Sequence, residues 1–181
     1  MASPRRTVPS SGLTAAQASL PVTISKLADA APSAKTGRTA TGFEVYFLSL
    51  DASDDRAARL AAAENAGISA EPAFDQPSGD DVSAILRDMI RTENLSASER
   101  LAVAMQARLD LAMNIENRGV KQAPFYVLAG AQMPAVLIEV GFMSNPEEAE
   151  LLRRSDVQAR VVNALFNAIL YYDSISAAPG P

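Results

Sequence analysis

The apolar run AVLIEV at positions 135–140 constrains the fold more than any other segment of this chain. An almost continuous apolar stretch of this length is typical of a strand that helices cover on both faces of a sheet. A second run rich in β-branched and aromatic residues, FEVYFL at 43–48, predicts another strand. FYVL at 125–128 predicts a third, short strand after a turn-rich connection at 118–124.

Helical patterns separate these strands. Ser53 is a predicted N-cap for a short helix, and Asn145 followed by proline and two glutamates predicts an N-cap with a closing capping box. Ser96 and Glu99 also form a capping-box pattern, so the apolar positions from 82 to 112 predict either two helices or one long helix with a break near Asn94. The predicted helices cover 53–65, 82–112, 145–154 and 155–172.

Alternating strands and helices predict an α/β domain with a mostly parallel twisted sheet and helices on both faces. Three strands are few for this much amphipathic helix, so the opening strands of such a domain are expected to be missing or altered. Residues 1–42 are rich in Ser, Thr, Ala and Pro and are expected to be poorly ordered, with an edge strand or a helical turn at 20–24.

Composition excludes several functions. With 16 Lys and Arg against 21 Asp and Glu, the net charge of −5 gives no electrostatic footprint for nucleic acid. The sequence has no apolar window long enough for a transmembrane segment. Its first residues lack a continuous apolar core, so they are not expected to act as a signal peptide. It contains no His and no Cys, which excludes the ordinary zinc sites and the histidine-activated nucleophiles.

Glu139 is the residue that does not fit its surroundings, because burying an unpaired carboxylate within an apolar strand costs several kcal/mol. Near the carboxyl end of a strand, a carboxyl of raised pKa is suited to general acid/base catalysis. The alternative is a structural ion pair with Arg118 or Lys121. These two cations either line an anionic site or belong to a solvated loop, and Glu44 is expected to point outward from an edge strand.

The segments 118–145, RGVKQAPFYVLAGAQMPAVLIEVGFMSN, and 42–65, GFEVYFLSLDASDDRAARLAAAEN, resemble the catalytic domain of the zinc-dependent N-acetylmuramoyl-L-alanine amidases. The resemblance covers about residues 28–172 and is strongest at PAVLIEVGFMSN, whose glutamate is the catalytic acid/base in that family and is Glu139 here. It implies hydrolysis of the amide between N-acetylmuramic acid and L-alanine in peptidoglycan. It also divides the chain into a poorly ordered or non-homologous segment 1–27, an amidase-like α/β domain 28–173 and a disordered tail 174–181.

One departure from that family concerns the metal. The family's zinc is held by two histidines and a glutamate, and the second histidine precedes an Ala-Asn/Asp-Ala segment. Here that stretch, 25–30, reads SKLADA, with Leu27 in the histidine's place. The chain as given is therefore expected to bind no zinc and to be inactive, either as a truncated or frame-disrupted amidase or as a pseudoenzyme that binds peptidoglycan or regulates an amidase. The remaining alternative is an unrelated α/β domain in which Glu139 is structural.

The resemblance also implies partners and a location. Peptidoglycan or a muropeptide is the expected ligand, with Arg118 and Lys121 as candidate substrate-binding residues and an amidase activator as a candidate protein partner. The family acts in the periplasm or cell envelope, so the same site of action is expected here.

Overall fold

The computed structural model describes residues 22–24, 40–68 and 81–176, with side chains for 40–68 and 92–176. It contains a four-stranded sheet in the order β1-β4-β2-β3, formed by β1 (Val22–Ile24), β2 (Phe43–Leu48), β3 (Asn117–Ala123) and β4 (Val136–Glu139). β1 pairs with β4 and β2 with β3 in parallel, while β2 and β4 pair antiparallel. The sheet is therefore mixed, and the prediction of a mostly parallel sheet holds for two of these three pairings.

Helices cover both faces of the sheet, as predicted. The described part of the chain contains four helices, α1 (Asp55–Asn65), α2 (Asp81–Ala112), α3 (Pro146–Arg153) and α4 (Ser155–Ser176). Because side chains alternate along a strand, Val45 and Ile138 face α2 and α4, whereas Tyr46 and Leu137 face α1. The α2 and α4 side of the core includes Leu101, Met105, Leu109, Val157 and Leu165. Among the described helices, none combines the length and the apolar character that crossing a bilayer requires.

The prediction of the third strand is wrong. β3 is formed by the segment that was expected to be a connection, and FYVL instead contains a 3₁₀ turn, Tyr126–Leu128. Pro124 has no N–H to donate to a ladder. The Asn65 side chain binds the backbone on either side of Phe125, at the start of the turn: its amide donates to the Pro124 carbonyl at 2.7 Å and its oxygen accepts from the Tyr126 N–H at 2.8 Å. Phe125 is buried edge-on against the Tyr46 ring, 5.1 Å away between centroids.

The predicted break near Asn94 is also wrong, since α2 is continuous across it. The Asn94 carbonyl accepts a hydrogen bond from the Ser98 hydroxyl at 2.6 Å, within the helix, and Ser98 in turn accepts from the Ala135 N–H at 3.0 Å. Ser96 lies inside the helix, where its hydroxyl accepts from Arg100 at 2.9 Å, so it is not an N-cap. The hydrogen bond between Ala135 and Ser98 thus stabilises the helix where the local sequence pattern predicted a break.

The other helix ends match the predictions in part. Asp54, and not Ser53, caps α1 by accepting from the Ala57 N–H at 2.8 Å. Asn145 caps α3 as predicted, accepting from the Glu147 N–H at 3.0 Å. α4 begins at Ser155 as predicted but continues to Ser176, past residue 172 and into the segment expected to be a disordered tail. Of the edge strand or helical turn predicted at 20–24, the edge strand is confirmed over 22–24 by β1, whereas 1–21, 25–39, 69–80 and 177–181 lie outside the described residues.

Candidate functional site

Two buried carboxylates face each other across the centre of the sheet. Glu44 of β2 and Glu139 at the end of β4 are cross-strand partners, and they are 0% and 1% exposed. Directly opposed like charges destabilise a sheet unless cations compensate them. The prediction that Glu44 points outward from an edge strand is therefore wrong: β2 lies between β4 and β3, and Glu44 is buried on the face that α1 covers.

Three cations gather around Glu44. The Arg56 Nε lies 3.0 Å from Glu44 Oε1, and Arg118 Nε and Lys121 Nζ contact the same oxygen, Lys121 at 3.4 Å. The Tyr46 hydroxyl donates to the other carboxylate oxygen. Charge-assisted contacts of this kind compensate a carboxylate for the water that it has lost on burial.

Arg56 connects the two carboxylates. Its Nη2 lies 3.5 Å from Glu139 Oε2, while its Nε contacts Glu44. The hypothesis that Arg118 or Lys121 pairs with Glu139 is wrong, because their contacts are with Glu44, and in the described residues Arg56 is the cation that reaches Glu139. Arg56 was not predicted from the sequence. The available signal was its position one turn before Leu60, on the side of α1 that packs against the sheet.

The ring of Phe142 packs against the guanidiniums of Arg56 and Arg118. The guanidinium carbons of Arg56 and Arg118 lie 4.5 and 6.0 Å from the centroid of its ring, which is a cation–π geometry. Arg56, Arg118 and Lys121 are 22%, 23% and 13% exposed in their side chains, so the cations lie between the buried carboxylates and solvent. Two exposed carboxylates balance part of this positive charge, since Lys121 also pairs with Asp54 at 3.0 Å and Arg118 with Glu116 at 3.7 Å.

Burial gives Glu139 an unusual pKa. Loss of water and the nearby charge of Glu44 raise the pKa of Glu139 from its ordinary 4.5 to about 7, although Arg56 and Arg118 act in the opposite direction. Burial disfavours the Arg118 cation, but its contact with Glu44 outweighs this and raises the pKa of Arg118. A carboxyl that titrates near neutrality can both donate and accept a proton, which is the property that general acid/base catalysis requires.

The described residues do not fit the zinc site that the amidase resemblance implies. The sequence supplies no imidazole and no thiolate. Within 22–24, 40–68 and 81–176, no three residues among Asp, Glu, His and Cys are grouped so that they could hold a metal ion, and both buried carboxylates of the pair contact cations. Leu27 and the stretch 25–30 lie outside the described residues, so the expectation that this chain binds no zinc stays a prediction.

The fold and the site define an α/β domain with a buried carboxyl of raised pKa, Glu139, at the end of a central strand. Residues 21–171 match the model of the N-acetylmuramoyl-L-alanine amidase family, Amidase_3, and the chain belongs to that family. The match begins at residue 21, so it includes β1 and starts earlier than the residue 28 expected from the sequence.

Individual curated proteins are also similar to this chain. The chain is 40% identical over 77 residues to the uncharacterised protein YqiI of Bacillus subtilis, over 42% of this chain and 37% of that protein. It is 30% identical over 144 residues to the N-acetylmuramoyl-L-alanine amidase AmiC of Escherichia coli, over 76% of this chain and 33% of AmiC. The chain thus spans about a third of the length of these curated relatives.

A solved structure supports the fold. The CwlD amidase of Clostridioides difficile, in complex with the GerS lipoprotein, aligns with a TM-score of 0.50 at 20% identity, over 85% of this chain and 54% of CwlD. This similarity concerns the arrangement of strands and helices, and the described chain corresponds to about half of that protein.

Proposed function

We propose that this domain acts on peptidoglycan, at the amide that joins N-acetylmuramic acid to L-alanine. Membership of the amidase family supports this substrate class. The observation that carries the proposal is Glu139: a carboxyl 1% exposed, with a pKa raised to about 7, at the end of β4 inside the family match.

Glu139 is the proposed proton carrier. Amide hydrolysis requires a proton on the departing amine, and a carboxyl with a pKa near 7 is partly protonated at neutral pH. Arg56 contacts the same carboxyl and fixes its orientation through its second contact with Glu44. Glu44 therefore has a positioning role in this proposal.

Arg118 and Lys121 are the proposed substrate-binding residues. Peptide stems of peptidoglycan carry carboxylates, which guanidinium and ammonium groups bind. Both side chains are partly exposed above the buried pair, and both keep a contact with Glu44 that holds them at the site.

Binding without hydrolysis is the second candidate for the chain as printed. The family is generally zinc-dependent, and zinc supplies a Lewis acid and an activated water when it is bound. The observation that favours binding alone is that Arg56 already contacts both carboxylates, in a sequence that has no histidine. In this form the domain would recognise peptidoglycan or regulate another amidase.

Two assays on the full chain separate these proposals. Release of peptides from insoluble peptidoglycan, measured with and without added zinc, tests hydrolysis. Pelleting with the same material tests binding. Hydrolysis that Glu139→Gln abolishes supports the enzyme, and binding without hydrolysis supports the second candidate. If neither hydrolysis nor binding is detected, the peptidoglycan proposal is overturned.

Matched variants test the binding residues. Arg118→Ala and Lys121→Ala should each weaken pelleting by about tenfold, the equivalent of one charge-assisted hydrogen bond. Arg153→Ala is the control, because Arg153 is 70% exposed on α3 and pairs with a neighbouring glutamate. Equal losses in all three variants would indicate nonspecific charge attraction and would contradict the assignment.

We also propose the cell envelope as the site of action and a lipoprotein activator as a class of partner. The substrate class supports the location, and the structure of CwlD with GerS supports the partner for a protein of similar fold. Cross-linking in envelope fractions, followed by mass spectrometry, tests both. Recovery of the chain solely from the cytoplasmic fraction would contradict them.

A further inference from the structure

Glu148 is a buried carboxylate with an unusual set of partners. It is 5% exposed and lies in the first turn of α3. Its Oε1 accepts from the Gly42 N–H at 2.6 Å, and its Oε2 accepts from the Phe142 N–H at 2.8 Å. The sequence pattern predicts a glutamate here that closes a capping box on Asn145, but the Glu148 side chain extends in another direction, to two backbone groups.

These two N–H groups belong to the segments that carry the opposed carboxylates. Gly42 immediately precedes β2, which carries Glu44, and Phe142 follows Glu139 by three residues. Glu148 therefore bonds to the beginning of one central strand and to the segment leaving the other. Hydrogen bonds to a buried carboxylate are short and strong, and removing the acceptor leaves both donors without a partner.

The segment after Glu139 fits closely against Glu148. Gly141 has φ +149°, and a Cβ there would lie 3.2 Å from Glu148 Oε2 and 3.1 Å from Leu152 Cδ1. The next residue, Phe142, is 2% exposed and supports Arg56 at 4.5 Å. A chain of contacts thus leads from Glu148 through Phe142 to the guanidinium that contacts Glu139.

We infer that Glu148 is a positioning residue for Glu139. By accepting the Gly42 and Phe142 N–H groups, it holds in place the segment that shields Glu139 from water and keeps Arg56 in contact with Glu139. This inference deepens the proposed function, on which it rests, since a proton carrier must be held in a fixed environment. A merely structural glutamate would affect stability without changing the environment of the Glu139 carboxyl.

Glu148→Gln is the test variant. A carboxamide has a single oxygen, and its NH₂ group would face one of the two N–H donors, so one bond is lost. We expect the 140–142 segment to loosen and water to reach Glu139. Since burial is the largest cause of its raised pKa, the pKa of Glu139 should fall by about one unit. The measurement is a ¹³C NMR titration of the side-chain carboxyl carbons, assigned with Glu139→Gln.

Glu147→Gln is the matched control. Glu147 is exposed, precedes Glu148 in the same first turn and carries the same charge near the helix N-terminus. It should leave the Glu139 pKa unchanged. If Glu148→Gln is folded and less stable but titrates Glu139 as in the unmodified chain, Glu148 is structural and the inference is overturned.

Hydrogen exchange in the unmodified chain covers the case in which Glu148→Gln fails to fold. The Gly42 and Phe142 amides should exchange at least about tenfold more slowly than the amide of exposed Ser144. Fast exchange at both would overturn the inference. Because neither measurement uses peptidoglycan, failure here is distinguishable from failure of the proposed function, which pelleting and peptide release decide.

Discussion

Replacing Glu139 by Gln should remove a pH dependence of the free energy of unfolding. In the folded protein burial and Glu44 raise the pKa of Glu139 from 4.5 to about 7. Between these two values the folded protein retains a proton that the unfolded chain has released. Stability from this group is therefore fully present below about pH 4.5 and is lost as the pH rises through about 7.

The size of the effect follows from the same pKa. Each pKa unit is worth about 1.4 kcal/mol, so the rise to about 7 corresponds to about 3 kcal/mol between the ends of the window. The substituted glutamine is uncharged at every pH and is similar in shape to the protonated glutamate. The variant should match the unmodified chain near pH 4.5 and exceed its stability by up to about 3 kcal/mol near pH 8.5.

Urea unfolding of both proteins across this range measures the difference. Comparing the two proteins cancels the contributions of other titratable groups, among them Asp54. Burial acts to raise the pKa of Asp54, but hydrogen bonds from Ala57 and Lys121 outweigh burial and lower it. The stability that Asp54 contributes is therefore lost as the pH falls. Glu147→Gln, at an exposed position, is the control. A difference between Glu139→Gln and the unmodified chain that stays constant with pH would refute the reasoning.

Three further variants test the packing around the site. Glu44→Gln leaves three cations around a neutral amide and should lower the free energy of unfolding in urea by about 3–5 kcal/mol; a loss below about 1 kcal/mol would contradict the burial of this group. Gly42→Ala should lower the thermal midpoint more than Gly119→Ala. Both glycines have positive φ, but of the two only Gly42 has neighbouring atoms that an added Cβ would meet. Equal shifts in the thermal midpoint would count against that close contact. Asn145→Ala should cost about 1 kcal/mol through loss of the α3 cap, measured by urea unfolding, whereas exposed Asn163→Ala on α4 should cost little; similar costs would argue against the cap.

The strands show what local patterning can predict. β2 and β4 are central and buried, so their sequences are apolar enough to be recognised. β3 reads NRGVKQA and is partly exposed over most of its length, a pattern that looks like a loop. Its strand conformation depends on pairing with β2, a partner distant in sequence, and the sequence alone does not reveal that partner.

The two glutamates show the same limit at the site. Glu139 could be identified because a single acid interrupts an otherwise apolar run. Glu44 could not, since a polar residue alternating with apolar ones is also the pattern of a solvent-facing position. Its burial depends on Arg118, 74 residues away in sequence, and on Arg56 from α1. Long-range ion pairs of this kind leave no periodic signal in the sequence.

The order of the strands affects how the protein is made. Among the four strands of the described residues, β4 is the last along the chain, and it pairs with both β1 and β2. The register partners Glu44 and Glu139 are separated by 95 residues. During synthesis, β1 and β2 therefore cannot form these pairings until β4 has left the ribosome. High contact order of this kind slows folding and exposes strand edges to other chains. A chaperone that binds the nascent chain before residue 139 has been synthesised is expected to increase the yield of folded protein.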